Sequence, residues 1–228
     1  MGAGALKLFL EPNPGRKKDK SDGGIRRVID AQIKYLPQFG IAVTTNPDEA
    51  DISAGHVEHA PIIAGKPFVS HNHGVMWEEY DWGNWGKGVN ASVVSAMLQA
   101  DAITVPSRWV ANALGYGMLR TPHVIYHGVD VDDWTPAKTP GDYVLWNKAR
   151  VDAVSDSADV IKLAALMPNT HFVSTFGVPA TNFRIIGRQP YQKHKQAIQQ
   201  AGVYLATARE TFGIGTLEAF ASGVPVAG

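Results

Sequence analysis

The stretch VYLATARETFGIGTLEAFASGVPVAG, residues 203–228, decides the fold. It opens on Val203-Tyr204-Leu205, a short apolar run of strong β-formers that reads as a buried strand over 203–207. A loop carrying Gly213 and Gly215 follows, then an apolar stretch of helical spacing at 214–221 and a second strand signal at 224–227. Strand, glycine loop, helix and strand in this order form the repeating unit of a parallel α/β sheet. The first N–H groups of such a helix have no intrahelical partners, and its dipole favours negative charge there. The helix start is therefore a candidate phosphate site. Glycine at 213 and 215 lets an anion approach the backbone closely. Glu210 stands before the loop, and Glu218 lies about one turn into the helix, where a carboxylate can bond ribose hydroxyls. Gly213-Ile214-Gly215 begins like a dinucleotide fingerprint, but Glu218 occupies the place of its third glycine. There is no GxxxxGK[ST] either, so nicotinamide and P-loop readings are set aside.

The same alternation runs back along the chain. Strands are read at 143–146, 171–175 and 183–186, and helices at 158–166 and 191–201. Earlier strand signals fall at 5–10, 41–44, 51–54, 67–70, 102–105 and 123–126, with helices at 25–36, 89–100 and 108–114. In the first helix Ile25, Val28, Ile29, Ile33 and Leu36 share one face and Arg26, Arg27, Asp30 and Lys34 the other. Between the two series lies the turn-rich stretch 134–141, with Pro136 and Pro140, the natural linker. The expectation is an α/β chain of two Rossmann-like domains facing a cleft, 1–136 and 137–228. A doubly wound domain needs about five or six strands, and here the fifth signal of the second series ends at Gly228 without a following helix. The second domain is accordingly expected to be incomplete, with an open edge that pairs as a dimer or needs a partner.

Composition narrows the function. The 228 residues suit one large or two small domains at roughly 150 residues each. With no cysteine, the chain holds no disulfide, thiolate metal site or cysteine nucleophile. Lys plus Arg is 21 and Asp plus Glu is 21, so the basic excess of a dedicated nucleic-acid binder is missing. No apolar run reaches the roughly 18 residues of a membrane span, and MGAGALKLFLEPNPG turns polar too early for a signal peptide. A soluble, cytoplasmic protein is expected, with peripheral membrane contact left open.

Glu210 and Glu218 together form an E-x7-E pattern, and ETFGIGTLEAFASGVPV resembles the retaining glycosyltransferases of the GT-B fold, family 4. Other segments resemble that family in the same order. These are Gly23-Gly24 before the first helix, KPFVSHNHG with the family histidine at His73, DAITVPSRWVANAL, and VIYHGVD before the linker. The family has Gly-Arg and then Lys-Gly after the first strand of its second domain. Here Trp146-Asn147-Lys148-Ala149-Arg150 carries a basic pair at another spacing.

The resemblance implies transfer of a sugar from a nucleotide-diphosphate donor, such as a UDP- or GDP-sugar, to an acceptor hydroxyl with retention. The acceptor would be a glycan, lipid or small molecule. It implies that His73 lies close to the reacting carbon and that Glu210 orients donor-sugar hydroxyls, while Glu218 holds the ribose. Lys148 and Arg150 would take the diphosphate charge, and backbone N–H groups of Gly213, Ile214, Gly215 and Thr216, with the Gly23-Gly24 loop, would line the donor. No metal and no other cofactor is then required. The alternatives are a non-catalytic nucleotide-sugar-binding fragment and a GT-B nucleotide-sugar epimerase.

Several features carry two readings. His56, His59, His71 and His73 cluster in sequence, but H-x-E-H and H-x-H match no zinc helix. His73 is equally a satisfied strand-end histidine. Asp130-Val131-Asp132 has the letters of a manganese motif from another glycosyltransferase fold and is read as coincidence. Asn90-Ala91-Ser92 is a glycosylation sequon by letter only. The stretch 76–87, with Trp77, Tyr80, Trp82 and Trp85, is a loop that either stacks on an acceptor sugar or covers its own domain. The basic loop Arg16, Lys17, Lys18 and Lys20 is either solvated or a contact for phosphate or anionic lipid.

Overall fold

The computed structural model describes residues 5–12, 23–76, 83–118, 120–148, 155–207 and 210–228. Packing divides the chain into two units, Met1–His127 and Gly128–Gly228. The division falls before the boundary at 136 read from the linker. The segment 128–136 packs with the second unit, because Trp134, at 3% exposure, sits in a core with Leu145, Val173, Ile198 and Tyr204. A buried tryptophan holds more apolar area than the flanking prolines can offset, so this turn-rich stretch belongs to a domain.

The first unit is a parallel sheet built from β1 (Leu6–Glu11), β2 (Ile41–Thr44), β3 (Ile52–His56), β4 (Phe68–His71), β5 (Ala102–Val105) and β6 (His123–Val124). Its spatial order is β2-β1-β3-β4-β5-β6. Crossovers carry α1 (Gly24–Tyr35), α2 (Gly83–Gln99) and α3 (Arg108–Met118). Two small cores result. Leu8, Leu10, Ala54 and Ile29 of α1 form one; Phe68, Val93, Met97, Ile103, Val110 and Leu114 form the other. Apolar strands buried on both faces are what helices over a parallel sheet produce.

The second unit contains β7 (Tyr143–Trp146), β8 (His171–Ser174), β9 (Phe183–Ile185), β10 (Val203–Leu205) and β11 (Val226–Ala227), ordered β11-β10-β7-β8-β9 and all parallel. Its helices are α4 (Ala158–Leu166), α5 (Tyr191–Gln199) and α6 (Ile214–Ala221).

In each unit the strand order reverses once. From β1 the chain moves outward to β2 and then back across to β3. From β7 it moves to β8 and β9 and then back across to β10. In open α/β sheets ligands bind at the carboxyl ends of the strands flanking such a reversal.

Two sequence expectations shift. The helix expected at 89–100 starts six residues earlier, at Gly83, so Trp85 and Lys87 are helical rather than part of a 76–87 loop. Gly86 and Gly88 each cost about 1 kcal/mol inside the helix, and Gly83 opens it, which hides these turns from a propensity reading. Two 3-10 turns, Leu36–Phe39 and Pro47–Glu49, were not legible as elements.

Candidate functional site

In the second unit, the reversal between β7 and β10 gathers polar residues. Trp146, the last residue of β7, is fully buried and donates from Nε1 to Thr207 Oγ1 at 3.0 Å, tying the ends of β7 and β10 together. Lys148 follows at once. Its backbone N–H donates to Thr175 Oγ1 at 2.9 Å, and the Thr175 hydroxyl returns a short hydrogen bond to the Lys148 carbonyl. A threonine just past the end of β8 thus grips both polar groups of one residue, and Lys148 leaves the strand in a fixed direction. Its side chain is buried, 4% exposed, and its ammonium meets Glu210 Oε1 at 2.9 Å. The Glu210 side chain is 39% exposed, so one end of the pair reaches solvent.

Beyond Glu210, Gly213 caps α6 in the left-handed region, φ 81°, and no side chain caps the helix. The first turn of α6 therefore begins beside the Lys148–Glu210 pair: a Cβ on Gly213 would lie 3.5 Å from Glu210 Oε2. Gly215 has another reason to be glycine. A Cβ there would stand 2.4 Å from the hydroxyl of Tyr204, so this glycine admits a side chain from β10. Glu218 is on α6 at 1% exposure beside Ala219 at 0%, not on an open surface. Arg150 lies outside the described residues, as do the basic loop 16–20 and Trp77, Tyr80 and Trp82.

In the first unit, His56, His71 and Thr104 occupy one row across β3, β4 and β5. The chain past β4 then turns. Asn72 donates its N–H to Thr104 O at 2.8 Å, and its side chain accepts from Gly74 N at 2.7 Å, which turns His73 back toward the row. His56 Nδ1 lies 2.8 Å from His73 Nε2, and His56 Nε2 lies 2.9 Å from Gln32 Oε1 of α1. Gln32 Nε2 reaches His71 Nε2 at 3.2 Å, and His71 Nδ1 lies 2.6 Å from Thr104 Oγ1. The His73 ring also stacks on that of His127, 5.3 Å between centroids.

Burial is the main reason these rings resist protonation, and repulsion between neighbouring rings adds to it. His56 is held down at about 2, His73 at about 3 and His71 at about 4. Burial lowers His127 as well. The cluster is a set of neutral imidazoles joined through one amide. Gln32 and His127 were not singled out in the sequence. Gln32 stands in line with Val28, Ile29 and Leu36 on the apolar face of an amphipathic helix, and a polar residue in that place is the signal that marks it; His127 reads as one residue of a linker motif.

Gly23 precedes α1 in extended conformation without capping it through a side chain, and a Cβ there would meet nothing within 4 Å. Packing does not explain this glycine. Asp130 accepts from Asp132 N at 3.2 Å, so the D-x-D closes a turn. Asn90 bonds the backbone of Met76 on both sides, at 2.7 and 2.6 Å. Among the described residues, no group of three His, Asp or Glu side chains is placed to hold a metal ion, and no helix is long and apolar enough to cross a membrane.

No family model matches the chain, and no curated protein sequence matches it. Solved structures do. HepE of Anabaena, in complex with UDP and glucose, is similar at a TM-score of 0.70 and 16% identity, over 97% of this chain and 80% of that one. TarM of S. aureus, in complex with fondaparinux, alpha-GlcNAc-glycerol and UDP, is similar at 0.60 and 12%, over 76% of this chain and 40% of that one. A second TarM structure has the same TM-score and identity over 85% and 43%. The fold is that of two Rossmann-like α/β units of the GT-B type.

Proposed function

We propose that the chain is a glycosyltransferase that moves a sugar from a nucleotide-diphosphate donor to an acceptor hydroxyl with retention at the anomeric carbon. The observation that carries this reading is the Lys148–Glu210 pair at the reversal between β7 and β10, beside the uncapped start of α6. The glycosyl ligands and UDP of the similar structures support it, as does the E-x7-E pattern of Glu210 and Glu218.

In this reading the bond from the anomeric carbon to the diphosphate oxygen breaks, and its electron pair leaves with the diphosphate. The acceptor oxygen bonds that carbon from the same face, and its proton passes to the departing phosphate oxygen. The growing negative charge is met by Lys148, by Arg150 and by the N–H groups of Gly213, Ile214 and Gly215; the Thr216 N–H donates to the Gly213 carbonyl at 3.0 Å and joins them only by giving up that bond. Preorganised donors of this kind are worth roughly 3–4 kcal/mol each in a transition state. A buried lysine already aimed at a carboxylate needs little reorganisation to exchange it for a phosphate oxygen. Glu210 is then released toward the donor-sugar hydroxyls. Glu218 bonds the ribose away from water, where a hydrogen bond to a charged acceptor is strong. The family resemblance assigns the Gly23-Gly24 loop to the donor and His73 to the reacting carbon; at Gly23 a Cβ would meet nothing within 4 Å, which suits such a role. No metal is needed in this scheme.

The acceptor is a glycan, lipid or small molecule, met in the cytoplasm or at a membrane surface. The test is a thermal-shift panel of nucleotide sugars, followed by turnover in the presence of chelator and assignment of product anomeric configuration by NMR. A shift with one donor and a retained configuration is expected. Inversion removes the retaining mechanism. A rate restored only by manganese removes the metal-free scheme, and turnover without any acceptor points to epimerisation. If no nucleotide sugar binds, the reading fails.

A further inference from the structure

A neutral imidazole has one N–H and one lone pair, so the partner at one nitrogen dictates the state of the other. The Gln32 carboxamide oxygen faces His56 Nε2, which places the His56 proton on Nε2. His56 Nδ1 is then a lone pair, and its 2.8 Å contact requires His73 to donate from Nε2. On the other side the Gln32 amide donates to His71 Nε2, leaving His71 to donate from Nδ1 to Thr104. One amide therefore sets three tautomers. Turning that amide over reverses every bond in the series, so the orientation of Gln32 is the selector.

A second observation concerns how His56 is held. Gly55 before it has no room for a Cβ, which would lie 1.9 Å from the His59 carbonyl oxygen. Val57 after it has φ 60°, a conformation that a β-branched residue adopts only under constraint. Such strain persists where surrounding structure enforces it, and it gathers at working sites. His56 is the last residue of β3 to pair with β4, and Val57, in its left-handed conformation, still donates its N–H to the His71 carbonyl at 3.1 Å, so the turn that follows His56 is locked onto β4.

We propose that Gln32 and His56 are positioning residues that hold His73 as the neutral Nε2–H tautomer, its lone pair on Nδ1. Toward a bound sugar hydroxyl the ring is then a hydrogen-bond acceptor and not a cation. The sugar as ligand rests on the glycosyl-transfer reading above; the tautomer does not.

The experiment is a long-range proton–nitrogen correlation spectrum of the 15N-labelled protein, recorded above the ordinary histidine titration range. It is paired with turnover of the donor found in the panel. Wild type is expected to show single tautomers: Nε2–H at His56 and His73, Nδ1–H at His71. His56→Leu removes the acceptor facing His73, whose spectrum becomes a mixture of tautomers; kcat falls about tenfold or more, with donor KM within about twofold. His56→Asn, whose carboxamide oxygen takes the place of ring Nδ1, recovers the single tautomer and most of the rate. A wild-type His73 carrying its proton on Nδ1 overturns the proposal, and so does a His73 tautomer unchanged in His56→Leu. If His56→Leu does not fold, the wild-type and His56→Asn spectra decide alone. Absence of turnover with every donor, alongside the expected spectra, refutes the transferase reading and leaves the tautomer assignment standing.

Discussion

Acid should unfold the first unit well before its carboxylates titrate. In the unfolded chain a histidine takes up a proton near pH 6.5. In the folded unit His56, His71 and His73 are held at about 2, 4 and 3, chiefly by burial. A depressed folded value means that the stability these rings contribute is complete above about pH 6.5 and drains away as the pH falls toward the folded values. At about pH 5 the unfolded chain has gained about 2 kcal/mol per ring by protonation, while the folded rings remain neutral. Three rings give about 6 kcal/mol, against a total stability of about 5–15 kcal/mol for an ordinary domain. His127 shifts the same way and adds to the loss.

The assay is urea denaturation at a series of pH values from about 7.5 down to about 5, following backbone amide signals of β3 and β4 so that only the first unit is read. The midpoint should drop steeply through the histidine range, and amides of the second unit should follow a shallower course. A first-unit midpoint that stays constant over this interval would refute the neutral, desolvated cluster. It would mean that the rings gain solvent or a counter-charge on protonation.

Three further outcomes are expected. Glu210→Gln should cost the second unit about 1–3 kcal/mol, because it strands a buried ammonium, whereas Lys148→Met should cost under about 1 kcal/mol, since Glu210 stays in contact with water; equal urea midpoints for the two variants would contradict this asymmetry. Gly215→Ala should destabilise by about 1–3 kcal/mol through overlap with the Tyr204 hydroxyl, and Tyr204→Phe in the same chain should recover part of the loss; strict additivity in that double-mutant cycle would dismiss the overlap. Glu218→Gln should weaken binding of the cognate nucleoside diphosphate by about tenfold or more in calorimetry, and unchanged affinity would take Glu218 out of the ribose contact.

Much of the fold can be read from hydrophobic period and punctuation, because parallel sheets are assembled from short buried strands set off by glycine, proline and capping residues. The strands Ile41–Thr44, Ala102–Val105 and Tyr143–Trp146 and the helices Ala158–Leu166 and Ile214–Ala221 have the limits that the sequence marks. The start of α2 is hidden by its glycines, and the division between units is hidden because Trp134 lies among turn residues. For the site, the loop from Glu210 to Glu218 is local and therefore legible. The grip of Thr175 on Lys148 and the link from Gln32 to His56 and His71 are not. They join residues 27, 24 and 39 positions apart, and no periodicity records which strand ends become neighbours. The sequence reading also treats Gly215 as a gap left for a ligand, where the gap is filled by Tyr204.

The histidine row draws on α1, β3, β4 and the turn after it, β5 and finally His127, the last residue of its unit. No two of its ring contacts are local in sequence, so none can form until the strands that carry them have paired, and the loop-closure entropy of each must be met first. During synthesis from the N-terminus, the ring that stacks on His73 emerges only after every strand of the first sheet has been made. The cluster therefore forms late in folding and cannot seed it. A nascent chain carrying only β1 to β3 exposes His56 to water as an ordinary basic imidazole, and the same residue loses that basicity when the sheet closes. Assembly of the unit thus switches the chemistry of its histidines, and their neutrality marks a finished fold.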